Sequence, residues 1–240
     1  MKILKVNNRN FKTVFKIVIK LIKEGKVIVC PTDTVYGLIC DATNKKAVRK
    51  LFNIKKRPTR KPTPIFVKSL KMAKKFAKIN KEQEKFLKKV WPGKATVVLR
   101  RKKAKMKLYG VDKKTIALRI PKYVLINILL QELNLPLIGT SANISGKPAS
   151  NNIKEIINQF TPFRDKSLTG FKNQPPTIFG GGQPDFVIDA GNLKKSKPST
   201  VIDLTSPKIK ILRRGWLKQK QLLKLCQKSL PRVTKKQSRF

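Results

Sequence analysis

Residues 28–41 read IVCPTDTVYGLICD, a strand-like run followed at once by a proline-led turn and a cluster of small and hydroxyl residues. Val27, Ile28 and Val29 are β-branched and uninterrupted by charge, the pattern of a strand buried on both faces. Pro31 has no N–H to offer a neighbouring strand, so pairing ends there. Gly37 lets the backbone come close to whatever Thr32, Asp33 and Thr34 surround. Taken alone, the run is a loop with hydroxyls. Its company along the chain makes it a candidate site.

Strand-like segments recur at 26–30, 64–67, 96–100, 115–120, 136–139, 185–189, 199–204 and 209–212. Helical periodicity separates many of them, at 10–24, 44–55, 69–77, 81–90, 122–133 and 151–159. The first helix aligns Phe11, Val14, Phe15, Val18, Leu21 and Ile22 on one face, with Asn10 as its N-cap and Gly25 as its stop. This alternation predicts an α/β fold with a twisted mixed sheet, since 100–115 has room for a strand to return. Trp91-Pro92-Gly93 reads as a helix terminator with its indole in the core. Residues 161–184 read as a long loop, in which Gly180-Gly181-Gly182 is a flexible turn. Residues 216–228 read as a Lys-rich amphipathic helix before a basic tail.

Three later segments carry chemistry. Lys55-Lys56-Arg57-Pro58 closes a helix, and with Arg60 and Lys61 it forms a cation cluster stiffened by Pro58 and Pro62; Lys55 and Arg57 are expected on its solvated end. Residues 115–121, TIALRIP, bury Arg119 in an apolar strand, and a buried guanidinium needs an anion from the protein or from a ligand. The scarcity of carboxylates favours the ligand. Arg213, after Ile211-Leu212, poses the same question. Residues 136–146, PLIGTSANISG, end a strand in hydroxyl and amide side chains. The spacing through Lys147 and Pro148 is wrong for a Walker A loop. An ordinary capped turn and an anion grip both fit the segment.

Composition narrows the chemistry. With no histidine, a His-based triad or general base is excluded, and Cys30, Cys40 and Cys226 form no CxxC pair. The odd cysteine count points to a reducing cytoplasm, and no run is apolar enough for a membrane span or a signal peptide. The net charge of +45 implies attraction to polyanions, nucleic acid first. Lysine supplies 45 of the 57 basic residues and is spread along the whole chain, so a simple abundance of lysine accounts for the charge equally well.

In their order and spacing these segments, over roughly residues 10–214, resemble the YrdC-like threonylcarbamoyl-AMP synthase family. The resemblance implies a twisted α/β sheet around a large basic cavity. There ATP, L-threonine and bicarbonate are condensed to L-threonylcarbamoyladenylate with release of pyrophosphate. Mg²⁺ would accompany ATP, and a separate tRNA-modifying transferase would receive the adenylate. Carried over by position, Lys55 and Arg57 are the family's K-x-R pair, with catalytic roles. Thr34, Arg119, Ser141 and Ser199 would hold threonine, and Arg57, Lys61, Thr115, Asn143 and Arg213 would hold ATP. This chain departs from the pattern at Lys56, where the family has glycine, at Thr63, a usual leucine, and at Phe66, where some members make a polar contact to threonine. Residues 1–215 would form the synthase domain and 216–240 a basic helix and tail, as in the short form without a further C-terminal domain. Two other readings are a non-catalytic module contacting tRNA or double-stranded RNA, and carbamoyl transfer as in hydrogenase maturation proteins.

Overall fold

The computed structural model describes residues 1–161, 182–207, 209–217 and 221. Its strands are β1 (Lys2–Lys5), β2 (Ile28–Cys30), β3 (Gly37–Asp41), β4 (Ile65–Phe66), β5 (Ala95–Arg100), β6 (Thr115–Arg119), β7 (Leu137–Ser141), β8 (Phe186–Asp189), β9 (Thr200–Asp203) and β10 (Lys210–Arg213). Its helices are α1 (Phe11–Lys23), α2 (Lys45–Ile54), α3 (Leu70–Phe76), α4 (Lys81–Val90), α5 (Val124–Leu133) and α6 (Ile153–Phe160). The strands form one mixed sheet in the order β1-β8-β2-β3-β7-β4-β6-β5-β9-β10.

Six of the seven expected helices and all eight expected strands are present among the described residues, and β1 and β3 are additions. β1, KILK, is a short edge strand with lysine at both ends, too brief for an alternating pattern to show. β3, GLICD, is buried throughout and was hidden inside the hydroxyl-rich run. Gly25 stops α1 with φ +75 and its N–H on the Ile22 carbonyl. Asn10 occupies the N-cap position, but its side chain turns away from the helix, accepting from the Asn7 N–H and donating to the Lys5 carbonyl. Asn44, Ser69, Asn80 and Asn152 cap α2, α3, α4 and α6 with their side chains. Trp91 is buried as expected, and its indole N–H meets the Ala95 carbonyl at 2.8 Å.

Period-two alternation divides the core between the two faces of the sheet. Val29, Leu38, Cys40, Val97, Leu99, Ile116 and Leu118 pack on one face with α2, α3, α4 and α6. Ile28, Cys30, Ile39, Leu137 and Ile188 pack on the other with α1 and α5. Beyond β7 that second face carries no helix among the described residues, and the open stretch exposes Thr96, Val98, Ala117, Arg119 and Val201 to a cavity. Most of the expected helix at 216–228 and most of the 161–184 loop, with Gly180, Gly181 and Cys226, lie outside the described residues.

Candidate active site

The cavity is about 440 Å³, inside the range of small-molecule sites. Two strand ends meet over it. In the β3–β7 ladder Gly37 lies opposite Ser141. A Cβ at Gly37 would stand 3.2 Å from the Thr140 carbonyl and 3.3 Å from the Thr32 methyl, so a side chain here would press its neighbours apart by a few tenths of an ångström. At Gly139 a Cβ would collide with the Phe66 ring, so the flat ring lies directly on bare backbone.

Arg119 is 3% exposed, and its guanidinium is met from within the chain. Nη2 pairs with Asp33 Oδ1 at 2.7 Å, Nε donates to the Gly93 carbonyl at 2.9 Å, and Nη1 approaches Thr34 Oγ1 at 3.4 Å. The expectation that a ligand supplies its counter-ion is therefore corrected: Asp33, in the opening motif, does so. Burial, opposed by Asp33, still lowers the Arg119 pKa. Phe66 packs beside it, its ring centroid 5.7 Å from the guanidinium carbon. Thr34 is buried, with its N–H on Thr32 Oγ1, and Thr32 Oγ1 in turn donates to the Val35 carbonyl at 2.6 Å.

Lys55 is the second correction. It caps α2 but is 2% exposed, because the loop after β7 folds over it. Nζ donates to the Ser141 carbonyl at 2.6 Å, the Asn143 carbonyl at 2.8 Å and Asn143 Oδ1 at 3.1 Å. Burial, with the Arg57 charge second, pushes its pKa down to about 7. Lys56 follows with φ 48, a left-handed conformation that explains the family's glycine at this position.

Arg57 is half-buried and differently held. Nε donates to the Lys61 carbonyl at 2.9 Å and Nη2 to the Pro62 carbonyl at 2.8 Å, which fixes the plane of a guanidinium that lines the cavity. Arg213 is anchored in the same way: Nε and Nη2 share the Ser199 carbonyl and Nη2 also reaches Ser199 Oγ at 3.1 Å. Burial first, and the Arg57 charge second, lower the Arg213 pKa; the Arg213 charge in turn helps depress Arg119. Three guanidinium groups thus face one cavity and repel one another, and an anion between them would relieve that repulsion.

Thr34, Lys55, Arg57, Lys61, Arg119, Ser141, Asn143, Ser199 and Arg213 all line this cavity. Thr115 does not. It shares a strand face with Ala117 and Arg119, but the lining stops at Ala117, and its hydroxyl is bound to Asp112 at 3.0 Å. Thr63, one of the departures, is buried with its hydroxyl on the Gly110 carbonyl. Tyr36 and Thr96 line the cavity without having been expected there, while Thr140 and Ser145, from the hydroxyl-rich segment read as an anion grip, line it too. Thr96 has a signal in hindsight, as the single hydroxyl in the apolar strand ATVVLR; it bonds Ser199 Oγ at 2.8 Å. No group of three or more metal-ligating side chains occurs among the described residues, and Asp33 is spent on Arg119. The cavity's donor set suits anions rather than a resident metal.

Fold and cavity define an α/β protein whose cation-lined cavity opens on a sheet face that carries no helix among the described residues. Known proteins refine this. The Sua5/YciO/YrdC family, described as "Telomere recombination", matches residues 20–215. A relative from Methanocaldococcus jannaschii is 36% identical over 216 residues, 90% of this chain and 92% of its own. A threonylcarbamoyl-AMP synthase of Pyrococcus abyssi is 30% identical over 93% of this chain and 60% of its own. The crystal structure of P. abyssi Sua5 complexed with L-threonine superposes with a TM-score of 0.78 at 29% identity, covering 98% of this chain and 63% of that one. The chain belongs to the Sua5/YciO/YrdC family.

Proposed function

We propose that this cavity makes L-threonylcarbamoyladenylate from L-threonine, bicarbonate and ATP, releasing pyrophosphate, and that a separate transferase carries the product to tRNA. The activity is that of a threonylcarbamoyl-AMP synthase, a nucleotidyltransferase, in agreement with the relative from P. abyssi. The observation that carries the reading is the arginine pair Arg57 and Arg213, each pinned by backbone carbonyls and each facing the same cavity.

The chemistry needs such a pair. A threonine carbamate is an anion, and its oxygen must attack the α-phosphorus of another anion while pyrophosphate leaves. The barrier is repulsion and alignment, which fixed cations address without a proton relay. Arg57, Arg213 and Lys61 would take the phosphate oxygens. Thr34, Ser141 and Ser199 would orient threonine, with Arg119 held beside its carboxylate by Asp33. Phe66 offers apolar surface where some relatives place a polar group. Mg²⁺ would arrive with ATP, bound by phosphate oxygens, and would supply further charge neutralisation to the leaving pyrophosphate.

Pyrophosphate exchange into ATP tests this. Exchange that requires both L-threonine and bicarbonate is expected; ATP turnover indifferent to threonine would contradict it.

A further inference from the structure

The loop from Ser141 to Lys147 closes the phosphate-facing side of the cavity, and its hydrogen bonds are nearly all accounted for. An ammonium has three donors. Those of Lys55 meet Ser141 O, Asn143 O and Asn143 Oδ1, and the Lys55 carbonyl accepts the Ser145 N–H at 2.8 Å. Asn143 is equally committed: Oδ1 also accepts from Ser141 Oγ at 2.6 Å, and Nδ2 donates to the Ile144 carbonyl at 3.1 Å and the Lys147 carbonyl at 2.5 Å. Neither side chain keeps a donor for a ligand. Ser145 is the exception. Its Oγ is the one buried side-chain polar atom without a partner among the described residues, and the residue lies in the cavity wall.

We propose that Ser145 Oγ is a nucleotide-binding hydroxyl and that Lys55 is the positioning residue that aims it. The inference rests on the ATP reading above and reassigns Lys55 from catalysis to framing. A buried hydroxyl with no acceptor is an unfavourable thing to keep in an empty protein. A phosphate oxygen at the Arg57 side supplies that acceptor when ATP binds. Lys55 makes the geometry available by gripping the loop at both ends, through its side chain at 141–143 and its carbonyl at 145. Its charge reaches the reaction only through that loop.

Two variants test the two halves. Ser145→Ala removes an unpartnered group, so its melting temperature should equal or exceed the parent's while the Kd for MgATP, by calorimetry, rises about five- to tenfold, roughly one hydrogen bond. An unchanged Kd, or a loss of stability, would overturn the Ser145 assignment. Lys55→Met keeps the packing and removes the donors. Amide exchange at residues 143–147 should accelerate while the sheet stays protected, and the KM for ATP should rise at least about tenfold with kcat at saturation within about threefold. Unchanged loop exchange with kcat down about a hundredfold would make Lys55 a group acting on the substrate itself. Methylammonium added to Lys55→Ala should restore loop protection and ATP affinity together; restored turnover over an unprotected loop would overturn the framing role. A parent protein that fails to bind MgATP would sink the nucleotide reading and Ser145 with it, while the exchange comparison would still decide Lys55.

Discussion

Two concavities on this molecule look alike by charge and differ in everything else. The larger, about 840 Å³, lies between α3, α4 and the β9–β10 turn and is rimmed by Lys74, Lys78, Arg100 and Lys102. All four are exposed; Lys74 pairs with Glu84 and Arg100 Nε donates to the Thr205 carbonyl. The smaller, about 440 Å³, is lined by groups that are buried or pinned: Lys55 with three acceptors, Arg119 on Asp33, Arg57 and Arg213 on backbone carbonyls. In a chain with net charge +45 any groove is basic, so charge and volume do not identify a site. Fixed geometry does, because a preorganised cation spends no side-chain entropy when its anion arrives.

The comparison breaks first at its strongest point. Arg57→Ala should lower adenylate formation by about 10²–10³-fold, the usual loss of one aligned electrostatic contact, while Lys78→Ala in the larger groove should leave it unchanged. Equal losses in a steady-state pyrophosphate assay would erase the distinction. Next in size is the buried pair beneath the cavity. Asp33→Asn leaves the Arg119 guanidinium charged and unmatched, and should cost about 3–5 kcal/mol in urea denaturation. A cost near zero would mean that water already reaches Arg119.

Lys55 gives a pH signature. With its folded pKa near 7 and a higher unfolded one, the unfolded chain binds more protons across that interval, so its contribution to stability rises as pH increases from about 7 toward 10. The burial of Cys30 and Tyr36, which raises both pKa values to about 12, works in the opposite sense at higher pH. The difference between the parent and Lys55→Met isolates the lysine: their unfolding free energies should diverge in favour of the parent between pH 7 and 9, and parallel curves would contradict the burial seen here. The smallest expected effect is at Lys56, where φ 48 suits glycine. Lys56→Gly should stabilise the fold by about 1 kcal/mol or less, read as a rise in melting temperature.

The fold was legible because burial and periodicity coincide: α1 and the strand at Ile28 announce their faces, and each of the six described helices has its apolar stripe. β1 and β3 were not, one for being a short charged edge and the other because Gly37 and Asp41 bound a run of only three apolar residues. For the site, motif order brought nine residues to one cavity. Long-range partners were the illegible part. Asp33 and Arg119 are 86 positions apart and Lys55 and Asn143 are 88 apart, so no local pattern states that one neutralises or cages the other. Thr115 shares the strand face of Ala117 and Arg119 but stands one pair of residues beyond the cavity lining, with its hydroxyl bound to Asp112, a partner that no local pattern announced.

The central claim, that pinned arginines rather than bulk charge hold the nucleotide, is tested most directly by MgATP titration of three proteins at low and high salt: the parent, Arg57→Gln, and the groove variant Lys78→Gln/Lys102→Gln. The account predicts that Arg57→Gln weakens binding at least about tenfold at both salt concentrations while the groove variant stays within about twofold of the parent. Similar losses in both variants that vanish together at high salt would contradict it.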